Sequence, residues 1–256
     1  MDGDPILSVR DLSKRFEGIL ALHHVGFDVA EGEIYGVIGP NGAGKTTLFS
    51  CIVGALAPTS GEVLFRGRRI SGLPNHAVVR RGVVRTHQIV RPFREMTVEE
   101  NVRVAALFGR VRGRGRTRRN RTLLDEAVEA TLRRTGLAHR AHVLAGTLTI
   151  GELKRLEIAR ALACEPDVVC LDEVTGGLNP AEIEEAMELI RSIRDAGVTV
   201  LMIEHHVPVV SAISDRVLVL NFGEAIAEGS PEKVLSDPEV VRAYLGEEDD
   251  LVGGGP

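Results

Sequence analysis

The sequence predicts an α/β fold: a largely parallel β-sheet with helices, an antiparallel β part near the N-terminus, and an inserted helical subdomain. Three observations carry this. Short apolar β-type runs alternate with helical patterns along most of the 256 residues. Two of those runs, DVVCLDE (Asp167–Glu173) and VTVLMIEH (Val198–His205), are continuously apolar until their last residues, as strands buried on both faces are. From about Thr97 to Ala163 the alternation stops and only helical periods remain.

In chain order, ILSVRDL (Ile6–Leu12) and HVGFDV (His24–Val29) alternate well enough for an antiparallel pair. EIYGVIG (Glu33–Gly39) is apolar and runs into a glycine-rich turn, followed by a helical pattern over Thr46–Leu56. Further helices are expected over Leu124–Thr135, Leu153–Ala163 and Ala181–Ala196. RVLVLNFGEAIAEG (Arg216–Gly229) reads as a hairpin with its turn near Asn221–Gly223. These elements imply one domain over 1–246. Its core and antiparallel part occupy about 5–90 and 164–230, and its helical subdomain about 91–163. The tail EEDDLVGGGP (247–256) is expected to be disordered.

Composition narrows the function. A formal net charge of −5, few aromatics and no Trp argue against a nucleic-acid surface. Cys51, Cys164 and Cys170 form no C-x-x-C pair, which fits buried thiols in a reducing compartment. The acidic N-terminus lacks the apolar stretch of a signal peptide, and no apolar run approaches the roughly 20 residues that span a bilayer. Arg110–Arg121 (RVRGRGRTRRNR) interleaves arginine with glycine and reads as a solvated loop, with lipid headgroup contact as the alternative.

The chemistry begins at GPNGAGKT, Gly39–Thr46, which fits G-x-x-x-x-G-K-[ST] after a predicted strand and before a predicted helix. Such a loop points successive N–H groups at phosphate oxygens, and the helix adds its positive end. Lys45 would place a charge between the outer phosphates, and Thr46 a hydroxyl on Mg²⁺. Asp172 and Glu173 stand at the carboxyl end of a buried strand, where open α/β sheets bind ligands. Asp172 suits a Mg²⁺ partner, and Glu173 an orienter and base for an attacking water. His205, expected at the end of a second such strand, could reach a γ-phosphate. In GTLTIGELKRLEIARAL (Gly146–Leu162), Thr149 and Glu152 form a T-x-x-E capping box; the same helix start could bind an anion.

Together these motifs resemble the ATP-binding cassette family of transport ATPases, from Leu7 to about Gly246. The motifs occur in that family's order: Phe16 as the adenine-stacking aromatic, GPNGAGKT as Walker A, Gln88 as the Q-loop glutamine, LTIGE as the signature, VVCLDE as Walker B, GGLNP as the D-loop and His205 as the switch histidine. The resemblance implies a P-loop NTPase core of RecA-like type that binds ATP and Mg²⁺. Nucleotide contacts would come from Phe16, from Gly39, Pro40, Asn41, Gly42, Ala43, Gly44, Lys45, Thr46 and Thr47, and from Thr149, Gly151 and Glu152. Glu173, His205 and Gln88 would be catalytic, and Thr46, Gln88 and Asp172 would hold the metal. In this family two cassettes pair head to tail, so LTIGE would cap the γ-phosphate held by the partner's Walker A. Ile150 and Glu152 depart from the usual L-S-G-G-Q, and Glu152 would repel a phosphate unless it serves the helix cap.

The stretches Val83–Ala105, Gly177–Pro180 and Ile213–Gly246 are most similar to the branched-chain amino acid importer ATPases. Urea-uptake and lipopolysaccharide-export cassettes are close relatives, and a soluble non-transport cassette ATPase is the alternative outside transport. The resemblance implies a second cassette, identical or different, and transmembrane permease subunits docked near Gln88. It also implies, indirectly, a solute-binding protein, and a cytoplasmic place on the inner face of the membrane. No nucleic-acid partner is expected.

Overall fold

In the computed structural model, which describes residues 4–86, 92–109 and 118–250, the chain divides into two units: 1–74 with 201–256, and 75–200. The first unit opens with β1 (Leu7–Phe16) and β2 (Ile19–Val29), antiparallel in the register Leu7↔Val29 and Val9↔Phe27. Both strands are longer than the alternation suggested, because a tight turn at Glu17 and Gly18, both at positive φ, joins them directly. β3 (Ile34–Ile38) follows, buried at every residue, then α1 (Lys45–Ile52). β4 (Ser60–Phe65) and β5 (Arg68–Arg69) complete a four-stranded sheet in the order β2-β1-β4-β5. Leu7, Val9, Leu22, Val25 and Val63 are fully buried in this sheet.

The second unit holds α2 (Asn75–Arg81), β6 (Val83–Arg85), α3 (Val98–Phe108), α4 (Arg118–Arg134), α5 (Ile150–Leu162), β7 (Val168–Asp172) and α6 (Pro180–Asp195). The α3, α4 and α5 helices share a core of Val98, Val102, Val128, Leu132, Leu137 and Leu156. Asn101, fully buried in that core, ties down the turn before α3. Its Oδ1 accepts from the Phe93 N–H at 2.8 Å, and its Nδ2 donates to the Phe93 carbonyl at 3.0 Å. The strands β6 and β7 run parallel, Arg85 opposite Cys170. Of the Arg110–Arg121 run, 110–117 lie outside the described residues. Arg118–Arg121 belong to α4, not to a loop, so the helix begins before the expected Leu124.

At β8 (Thr199–Ile203) the chain passes back into the first unit. It continues through α7 (Val207–Ile213), β9 (Arg216–Asn221), β10 (Glu224–Gly229), α8 (Pro231–Leu235) and α9 (Pro238–Asp250). The β8 strand ends at Ile203, short of the expected His205, because α7 starts at Val207 with Pro208 in its first turn. The expected hairpin is present: β9 and β10 are antiparallel, joined through Phe222 and Gly223, both at positive φ. The β3 strand lies beside β9 in parallel, Tyr35 opposite Arg216. Helix α9 runs on through Glu247–Asp250, into the stretch expected to be disordered, since these acids do not interrupt a helix; 251–256 lie outside the described residues.

Candidate functional site

In the first unit the phosphate loop leaves β3 at Gly39 and enters α1 at Lys45. Two glycines are required by close approach. A β-carbon at Gly39 would stand 2.0 Å from the Leu220 carbonyl oxygen, and one at Gly44 2.5 Å from that of Ala21. Both residues also have positive φ, at 147° and 100°. The hairpin turn braces the loop: the Gly223 N–H donates to the Ala43 carbonyl at 3.1 Å, and the Gly223 carbonyl accepts from the His23 N–H at 2.8 Å. Lys45, buried, turns its ammonium onto the loop's own carbonyls, Gly39 and Pro40, the latter at 2.7 Å. Asn41, Gly42 and Thr46 are exposed. Phe16 ends β1 with 41% of its surface exposed and the Lys14 ammonium 5.0 Å from its ring centre. His205, exposed, follows β8 by two residues. Gln88 lies outside the described residues.

In the second unit Asp172 closes β7 and is buried. One of its oxygens forms an ion pair with Arg85, whose side chain is also nearly buried. The other, Oδ1, is buried with no hydrogen-bond partner among the described residues. The Asp172 N–H donates to the Thr86 hydroxyl at 3.1 Å. Glu173 is partly exposed and has φ 49°, a left-handed conformation rarely taken by a residue with a β-carbon. Its carbonyl accepts a hydrogen bond from the Lys154 ammonium.

The capping box at α5 is complete. The Thr149 hydroxyl accepts from the Glu152 N–H at 3.3 Å, and Glu152 Oε2 accepts from the Thr149 N–H at 2.9 Å. Glu152 Oε1 takes a bond from Arg140 at 2.6 Å. That bond first, with the Thr149 N–H, holds the carboxyl below its ordinary range against the opposing effect of burial. Glu152 is therefore turned to the cap and to Arg140, which meets the condition under which its charge is compatible with a nearby phosphate. Ile150 is 59% exposed. Gly151 is buried: a β-carbon there would lie 2.8 Å from Glu182 Oε1, at the start of α6.

The structure thus brings Thr149, Gly151 and Glu152 together at one helix start, and sets Asp172 and Glu173 side by side at the end of β7. Three residues of this scaffold were not singled out from the sequence: Arg85, Arg140 and Lys154. Each meets its partner across a chain separation that no local pattern records.

Comparison with known proteins supplies the family. The profile described as "ABC transporter" matches residues 22–176. The chain belongs to the ATP-binding cassette family. A second profile, "Branched-chain amino acid ATP-binding cassette transporter", matches residues 226–250. The high-affinity branched-chain amino acid transport ATP-binding protein LivG of Escherichia coli K12 is 45% identical over 251 residues, covering 95% of this cassette and 98% of LivG. The crystal structure of the ADP conformation of MJ1267, an ATP-binding cassette of an ABC transporter, superposes with a TM-score of 0.82 at 32% identity. That match covers 95% of this chain and 100% of the other. The dimeric structure of MJ0796, a bacterial ABC transporter cassette, has a TM-score of 0.78 at 26% identity, covering 88% and 98%. As a member of this family the cassette is a nucleotide-binding ATPase that serves a transporter. Among the described residues no helix is long and apolar enough to cross a membrane.

Proposed function

We propose that this cassette is the ATP-hydrolysing subunit of an importer of branched-chain amino acids. It would work on the cytoplasmic face of the membrane, bound to permease subunits that receive solute from a binding protein, and paired with a second cassette. Likeness to LivG over almost the whole chain supports the substrate class, and the profile over 226–250 favours it over the urea and lipopolysaccharide branches.

In this reading the loop Gly39–Thr47, through the backbone N–H groups of all its residues but Pro40, and the Lys45 ammonium hold the outer phosphates of ATP, and Phe16 stacks on adenine. Binding would draw the Lys45 ammonium from the Gly39 and Pro40 carbonyls onto phosphate oxygen. The Thr46 hydroxyl, Asp172 and Gln88 would hold Mg²⁺, which when bound neutralises charge on the phosphates. By residue type these donors fit that ion. All are hard oxygens, and the unpartnered Asp172 Oδ1 would be satisfied by a metal-bound water. The partner's Thr149 and Gly151 region caps the γ-phosphate in trans, with the α5 N–H groups as donors. Glu173 orients a water and takes its proton as oxygen attacks the γ-phosphorus, and ADP leaves with the electrons of the broken P–O bond. His205 contacts the γ-phosphate. The helical layer of about 91–163 would carry the resulting motion to the permease.

The observation that carries the catalytic part is the pair at the end of β7: a buried, half-satisfied Asp172 beside a Glu173 held in a left-handed turn. The test is ATP turnover by Glu173→Gln assembled with its partner subunits. Loss of a positioned base lowers rate by about 10²–10⁴-fold, so turnover within a few-fold of the parent would refute Glu173 as the base.

A further inference from the structure

Helix α5 is fastened to the segment that carries the catalytic carboxylate at three successive points, all within the second unit. At its second residue, Gly151 lies against Glu182, so closely that a β-carbon would stand 2.8 Å from the carboxylate. One turn on, the Lys154 ammonium donates to the backbone carbonyl of Glu173. The next residue, Arg155, forms an ion pair with Glu185 of α6. The middle contact falls on the residue with unusual backbone. Glu173 at φ 49° keeps that conformation only where its surroundings hold it, and its φ and ψ decide where its carboxylate points. The Glu173 carbonyl also takes a long bond, 3.4 Å, from the Gly176 N–H, so the ammonium is the stronger of these two holds on it.

We propose that Lys154 is a positioning residue for Glu173: its ammonium fixes the peptide after Glu173 and thereby aims the carboxylate at the attacking water. The proposal rests on the reading of Glu173 as base. It ties the helix whose first turn faces a partner's phosphate to the carboxylate of its own chain, through one charged hydrogen bond. Lys154 touches no reacting atom, so its removal should slow the chemical step and spare ATP binding.

The test is steady-state ATP hydrolysis by the full chain with its partner subunits, for Lys154→Met, Lys154→Arg, Glu173→Gln and the double variant Lys154→Met/Glu173→Gln. Lys154→Met should lower kcat by about tenfold or more with KM for ATP changed less than about twofold, the split expected of an interaction made in the transition state. Lys154→Arg, which keeps a charged donor, should recover at least about a third of the parent kcat. In the Glu173→Gln background, Lys154→Met should change the residual rate by less than about twofold, because the carboxylate it aims is gone. If Lys154→Met does not assemble, Lys154→Leu, which also lacks a donor, takes its place with the same expectation. The proposal is overturned by a Lys154→Met kcat equal to the parent's, by a loss that Lys154→Arg does not recover, or by an undiminished second loss in the double variant. Full turnover by Glu173→Gln would sink the base reading and this proposal together. A slow Glu173→Gln beside a fast Lys154→Met would sink the proposal alone.

Discussion

Glu152 serves a helix cap and an ion pair with the same carboxylate, and this makes its contribution depend on pH. Arg140 and the Thr149 N–H hold its carboxyl below the ordinary value of 4.5. A depressed folded-state pKa means stability that is fully present above the unfolded value and lost as pH falls through the folded one. Glu152→Gln keeps an acceptor for the cap and removes only the charge. Its melting temperature should therefore lie below the parent's at pH 7, and the gap should close as pH drops below about 4.5. Thermal melts of both chains across pH 3–7 would check this; a gap that widened toward acid would contradict it. Asp172 and Arg85 show the limit of what sequence reveals at this scale. The place of Asp172 at the end of a buried strand was legible from the apolar run before it. Its buried counter-ion was not, because Arg85 stands 87 residues away and nothing local marks it. Lys154 and Glu173 are 19 residues apart, and the left-handed turn that gives their contact meaning leaves no trace in residue type.

At the scale of elements, three helices among the described residues begin with the same reciprocal cap: Thr97 with Glu100, Thr149 with Glu152, and Asn179 with Glu182. Each satisfies two N–H groups that a helix start would leave open. Thr97→Ala removes one side of the α3 cap and should cost about 1 kcal/mol. In a chain of this length that is a fall of about 2–4 °C in melting temperature, and an unchanged melt would mean that Asn101 and the backbone bonds from Val98 and Glu99 to the Val143 and Ala141 carbonyls hold the helix start without the cap. The T-x-x-E pattern made the start of α5 legible, and the apolar runs did the same for β3, β7 and β8. The strands β4 and β5 escaped, since glycine and arginine break their alternation. β6 escaped because three residues are too few for any period to show. All three are defined by the strands they pair with rather than by their own composition.

For the whole molecule, the decisive question is where the start of α5 acts. If Thr149 and Gly151 only begin a helix, changing them should lower stability and disturb every function together. If they close a site on a second cassette, binding and hydrolysis should separate. Thr149→Ala removes the capping hydroxyl, and Gly151→Asp sets a carboxylate against Glu182 and adds negative charge where a phosphate would sit. Neither residue belongs to the unit that carries Gly39–Thr46. The double variant Thr149→Ala/Gly151→Asp should therefore bind ATP as an isolated chain within a few-fold of the parent, while the paired cassettes lose hydrolysis by about 10²-fold or more, as when a preorganised transition-state donor is removed. Nucleotide titration of the isolated chain, set beside turnover of the assembled pair, reads both quantities. An equal loss of binding in the isolated chain would return this helix start to a purely structural role, and would leave the γ-phosphate to the residues of one cassette alone.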